Sequence, residues 1–132
     1  MFGSFDISTS ALTAQRVRLD TISSNIAHFG AAAPAPGKSE PYRRLFPVFE
    51  SKDDGSAGVQ VASIQEDQAP LVKKFEGKGH PYADKDGYVS YPNVDLSTEM
   101  INAIEATRAY EANVTAVETT KSMISATMRV LA

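Results

Sequence analysis

A chain of 132 residues, 42% hydrophobic and 22% charged, suits one ordinary domain or one small domain with extended elements. Its net charge of −3 and pI of about 5.3 argue against a nucleic-acid binder, which needs a positive surface to meet phosphates. The sequence has no cysteine, so thiol catalysis, Cys-based zinc sites and disulfides are excluded.

The opening "MFGSFDISTS" has neither a positive n-region nor a continuous apolar core, so no cleavable secretory signal is expected. No apolar run approaches the roughly 20 residues that cross a bilayer, and direct membrane insertion is not expected. Residues 1–29 read as an N-terminal helix. Phe5, Leu12, Leu19, Ile22, Ile26 and Phe29 fall at three- and four-residue steps, with Ser8 and Gln15 in the intervening places. That spacing is the seam of a helix facing one partner helix. Asp6, Ser8 or Ser10 is expected to cap its start, and Gly30 to stop it.

Residues 30–41, "GAAAPAPGKSEP", form an Ala/Pro/Gly linker, since proline removes backbone donors and small residues bury little. Residues 42–96 form a small β-rich domain with loops. Its expected strands are "YRRLFPVFE" (42–50), "GVQVASI" (58–64) and "PLVKKFE" (70–76), with "DDGSAG" turning between the first two. Pro47 marks an edge or a bulge. An Asp-Gly turn at Asp86-Gly87 precedes a further short strand, "YVSY".

Residues 97–132 read as one long C-terminal helix. Met100, Ala103, Thr107, Tyr110, Val114, Val117, Lys121, Ile124, Met128 and Leu131 step by three and four without Gly or Pro. Ser97 is the expected N-cap, with Leu96 and Ile101 as a hydrophobic staple. Glu99 in the first turn and Arg129 in the last complement the helix dipole. The fold class is therefore α+β: long antiparallel terminal helices, coiled-coil-like, flanking a small β-rich middle. Both seams are thin in large side chains. Burial gains of about 1.5–3 kcal/mol per large side chain stand against about 1–2 kcal/mol per residue for ordering the backbone. Such an element needs neighbours.

No catalytic constellation can be assembled. "GKS" at 37–39 lacks the first glycine of a phosphate loop, where Ala32 stands, and Pro34 and Pro36 remove the amides it would use. "DKDG" at 84–87 begins like a calcium loop but lacks its later acidic positions. His28 and His80 have no partner at metal-ligand spacing, and no G-x-S-x-G elbow occurs. No catalytic, cofactor or metal site is expected, and no cofactor. The seam residues Leu12, Leu19, Ile22, Ile26, Met100, Thr107, Tyr110, Val114, Val117, Ile124, Met128 and Leu131 are instead expected to bury against each other and against neighbouring subunits. Tyr110 is the largest of them.

"SALTAQRVRLDTISSNIA" (10–27), ending in Ser24, Asn25, Ile26 and Ala27, resembles the N-terminal signature of the bacterial flagellar rod and hook protein family. "GHPYADKDGYVSYPNVDLSTEMINAIEATRAYEANV" (79–114) is similar to its C-terminal region. The motif residues there are Gly79, His80, Pro81, Asp86, Gly87, Tyr88, Pro92, Asn93, Glu99, Met100, Arg108, Tyr110, Glu111 and Asn113. After Ala27 this chain departs from the family pattern, with His28-Phe29-Gly30 and then the Ala/Pro stretch.

The resemblance implies a structural subunit of the proximal rod in the flagellar basal body. Such a subunit leaves through the flagellar type III export apparatus, unfolded and without a cleaved signal. It joins other rod proteins and copies of itself in the periplasm. The terminal helices would line a helical tube that transmits torque and encloses the export channel, with the middle segment outside. The alternative reading of the residues is a soluble cytoplasmic helical module of binding or chaperone-like function.

Overall fold

The computed structural model describes residues 2–132. Helix α1 (Phe2–Ala27) is followed by strands β1 (Leu45–Ser51), β2 (Val59–Glu66), β3 (Val72–Phe75) and β4 (Tyr88–Tyr91), and then by helix α2 (Leu96–Leu131). The α+β arrangement expected from the sequence is present. α1 packs on α2 and on the β1–β2 hairpin.

The middle holds two separate two-stranded antiparallel ribbons, β1–β2 and β3–β4, rather than one sheet. β1 and β2 slip register between Val48 and Phe49, one residue beyond Pro47, which pairs with Ile64. In a two-stranded ribbon each strand has a free edge, so the missing proline donor is tolerated. Residues 30–41 close on themselves: Ala35 N–H donates to the Glu40 carbonyl at 2.9 Å, and Pro34 bridges Pro41.

α1 starts upstream of the expected caps. Asp6, Ser8 and Ser10 all lie inside the helix, where Ser10 Oγ bonds back to the Ile7 carbonyl at 2.8 Å. Gly30, just past its end, has φ +77°. The N-cap of α2 is Asp95, not Ser97: its side chain accepts from Ser97 N at 2.9 Å and Thr98 N at 3.2 Å. The Asp95 carboxylate sits over two otherwise unpaired first-turn amides, and its charge suits the positive end of the helix dipole. With the cap at Asp95 the expected staple is displaced: Ile101 is 58% exposed, and the buried Val94 takes the place before the cap.

Two faces of α1 are in use. Ser10, Thr13, Ala14 and Val17 line one crevice with Val59 and Val61 of β2. There Gly58 (φ +141°) comes so close that a Cβ on it would stand 2.5 Å from Ser10 Oγ. The other face meets α2, and Asn25–Glu99 and Arg18–Glu105 contacts set its antiparallel register. At 1.5 Å per residue α1 spans about 39 Å and α2 about 54 Å. Extending that register, Phe2 stands level with about residue 122 of α2, so roughly the last ten residues of α2 run past the end of α1. No helix is long and apolar enough to cross a membrane among the described residues.

Candidate functional site

The buried core is small and partly polar. Ala14, Ile22, Val89, Val94 and Ala106 are buried, and so are Asn25 and Glu99, both fully. These two polar side chains meet where α1, the start of β1 and the start of α2 converge. Asn25 Oδ1 accepts from Leu45 N at 2.8 Å, and Asn25 Nδ2 donates to the Leu45 carbonyl at 2.8 Å. The amide thus pairs with both backbone groups of one residue, as a neighbouring strand would. Its second donor goes to Glu99 Oε2 at 3.0 Å, and its second acceptor site takes the Tyr42 hydroxyl at 2.8 Å. All four of its hydrogen-bonding sites are used, the condition under which a buried amide is tolerated.

Around this centre a second ring of contacts closes. Arg44 Nε donates to Glu99 Oε1 at 2.5 Å, and Asp67 lies 3.8 Å from the same guanidinium. Asn93 Oδ1 accepts from Arg44 N at 3.0 Å, while its Nδ2 donates to the Ala69 carbonyl at 3.1 Å. Tyr42 also meets Ser24 Oγ at 3.1 Å and stacks on His28, with ring centroids 4.1 Å apart. Burial holds the Tyr42 hydroxyl above its usual pKa, with Glu99 and Glu66 adding to the rise and the Ser24 contact opposing it. The sequence motif singled out Ser24, Asn25, Asn93 and Glu99, and the fold brings these four together. It did not single out Tyr42 or Arg44, read only as strand residues. The one clue was that Glu99, once buried, requires a cation.

The C-terminal seam is rotated from its expected position. Of the row Ala103, Tyr110, Val117 and Ile124, all but Tyr110 are half-buried. Its companion row is Glu99, Ala106, Asn113 and Thr120, one residue before the expected Met100, Thr107, Val114 and Lys121. Glu99, Ala106 and Thr120 are buried, Asn113 and Val114 half-buried, and Thr107 exposed. Small and polar residues face inward because their polarity is satisfied locally: Asn113 Nδ2 bonds the Ala109 carbonyl and Thr120 Oγ1 the Ala116 carbonyl. Met100 is therefore exposed (54%), with Ile104 beside it on the outer side. On α1, Ile22 is buried, Leu12, Leu19 and Ile26 are half-buried, and Phe5 and Phe29 are exposed.

Burial along α2 fades toward the C-terminus. Thr120 is 8% exposed, Met128 66% and Leu131 82%. The loss begins where α1 runs out. Tyr110 sits at the margin, 36% exposed. Arg108 and Glu111 are exposed, and of the off-seam charges Arg18 reaches Glu105 at 3.5 Å.

The remaining motif residues build the turn of the β3–β4 ribbon. Asp84 Oδ1 accepts from Asp86 N and Tyr88 N. Gly87 has φ +88°, and a Cβ there would lie 2.9 Å from the Phe75 ring, which packs edge-on against Tyr88. His80 Nδ1 accepts from Tyr82 N at 3.2 Å, while Gly79 and Pro81 are exposed and Pro92 is buried. No group of three or more His, Asp or Glu residues is placed to hold a metal among the described residues. The crevices lie open on the surface; one joins the 32–43 loop to the β3–β4 ribbon.

The family model described as Flagella basal body rod protein matches residues 5–27, within α1. That described as Flagellar basal body rod FlgEFG protein C-terminal matches residues 85–130. The flagellar basal-body rod protein FlgC of Borreliella burgdorferi is 38% identical, over 99% of this chain and 97% of its own length. FlgC of Salmonella typhimurium is 42% identical (94% and 92%), and that of Bacillus subtilis 40% (93% and 93%). The chain belongs to the FlgC family of flagellar basal-body rod proteins. The two FlgC-family regions matched by the models carry Asn25 and Glu99 and the inner faces of both helices. The 28–84 segment between them supplies Tyr42, Arg44 and the β1–β2 hairpin.

Proposed function

We infer that the chain is a structural, non-catalytic subunit of the flagellar basal-body rod, built in through its two terminal helices. One observation carries this reading: α2 continues through the apolar Met123, Met128, Val130 and Leu131 after α1 has ended, and these side chains lie bare there. A stripe that fits a partner helix for most of its length requires a partner for the rest. Copies of the chain and other rod proteins supply that cover. The exposed Met100 and the half-buried Leu12, Leu19 and Val114 extend the contact sideways, and Tyr110 anchors its middle. Helices packed this way line the axial tube of the proximal rod, which transmits torque and encloses the export channel, while residues 42–96 face outward as a small domain.

The subunit reaches the periplasmic rod through the flagellar type III export apparatus, without loss of a signal peptide. Modest intrachain burial suits that route, since little must be undone for the chain to pass unfolded. The FlgC relatives favour this reading over a cytoplasmic binding module. Basal-body purification tests it: the chain should co-purify with rods at its full-length mass. Met128→Ser with Leu131→Ser should leave the isolated fold unchanged and abolish both incorporation and motility. Recovery of the protein only in the soluble cytoplasmic fraction would overturn the proposal.

A further inference from the structure

Part of the helix–helix contact is made by small side chains or by polar ones satisfied on their own helix. Glu99, Ala106, Asn113 and Thr120 recur every seven residues on α2. Asn113 and Thr120 spend their hydrogen bonds on their own helix, so they carry no information about where α1 stands. Small side chains such as Ala106, and self-satisfied ones such as Asn113 and Thr120, resist a seven-residue slip only weakly. The register is therefore left to directional polar contacts.

We propose that the dipeptide Arg44–Leu45 at the start of β1 is a register lock, fixing both helices to the β module and, through Glu99, to each other. Asn25 holds Leu45 from the α1 side through both backbone groups. Asn93, two residues before the α2 cap, holds Arg44 N from the other side. Glu99 joins the halves, taking Arg44 Nε on one oxygen and Asn25 Nδ2 on the other. These are directional bonds to specific backbone atoms, and a helix shifted by one heptad satisfies none of them. A buried polar layer fixes helix register in coiled coils on the same grounds. Asn25, Asn93 and Glu99 are in this sense positioning residues. They set the height at which α2 presents its bare distal stripe relative to the outward domain.

The absence of native cysteine allows a direct test. Spin labels at Asp20→Cys and Ala116→Cys, both exposed, report the axial offset of the helices by dipolar distance measurement. The otherwise unmodified chain should give one narrow distance. Replacing the lock by apolar residues, with Asn25→Leu, Arg44→Met, Asn93→Leu and Glu99→Leu together, should retain helical circular dichroism. It should also add a second distance displaced by about 10 Å, the rise of seven residues. Asn113→Leu with Thr120→Val should keep the single distance, and restoring Asn25 and Asn93 to the lock variant should recover it. A lock variant that keeps the single distance overturns the proposal. So does one that loses its helices, because the network would then be a stability element and not a register device.

Discussion

Asn25 shows how much one side chain carries. Its amide is fully buried with four partners, two of them on the Leu45 backbone. Asn25→Ala would strand a buried amide, a carbonyl and one oxygen of Glu99 together. Leaving such groups unpaired costs about 1–3 kcal/mol, so denaturant unfolding should show a loss in that range, while Ser23→Ala on the exposed side should change little. Tyr42 makes a pH prediction. Its pKa is raised by burial, so the protonated form is favoured in the folded state. Its contribution is whole below the ordinary tyrosine value of about 10 and is lost as pH climbs through the higher folded value. An alkaline loss of stability is therefore expected, and Tyr42→Phe should remove that step, while lowering stability at neutral pH by about 1–3 kcal/mol because Asn25 Oδ1 loses the hydroxyl that donates to it. Of these residues the sequence motif marked Asn25 and Glu99 but not their partners. Tyr42 and Arg44 lie in a stretch whose apolar pattern reports a strand and says nothing of what the strand's first residues touch.

At the scale of elements, both long helices, the β hairpin turn at "DDGSAG" and the strand after the Asp-Gly turn were readable from periodicity and turn chemistry. The rotation of the α2 seam was not. Apolarity is the signal a period search uses, and here the inward positions Glu99, Ala106, Asn113 and Thr120 are small or polar, while Met100 and Ile104 point out. The cap was misplaced for a related reason: Ser97 and Asp95 are both acceptable residue types, and only the geometry of the Asp95 carboxylate over Ser97 N and Thr98 N separates them. The two sides of α2 should respond differently to substitution. Met100→Ser with Ile104→Ser should change the stability of the isolated chain by no more than about 0.5 kcal/mol, as for surface positions generally, yet reduce incorporation into rods. Ala106→Leu, inside the helix–helix contact, should destabilise the chain itself by about 1–3 kcal/mol through overpacking. Thermal unfolding and rod yield, measured on the same variants, distinguish the two.

The whole molecule is an incomplete packing unit. One end is closed by directional polar contacts among α1, β1 and α2; the other leaves Met123, Met128, Val130 and Leu131 more than half exposed. Stability should follow that gradient. Amide exchange of the isolated chain should be slowest around residues 99–106 and fastest from about 122 onward, where α1 gives no cover. The sequence indicated that neighbours were required, through thin seams and unequal helix lengths, but where cover ends depends on the antiparallel register, which rests on long-range contacts that no local pattern encodes. The most direct test of the central claim is a reconstruction of the assembled basal body at side-chain resolution. This chain should lie in the rod with Met128 and Leu131 buried against helices of neighbouring subunits. A rod in which those two side chains face solvent, or from which the chain is missing, would contradict it.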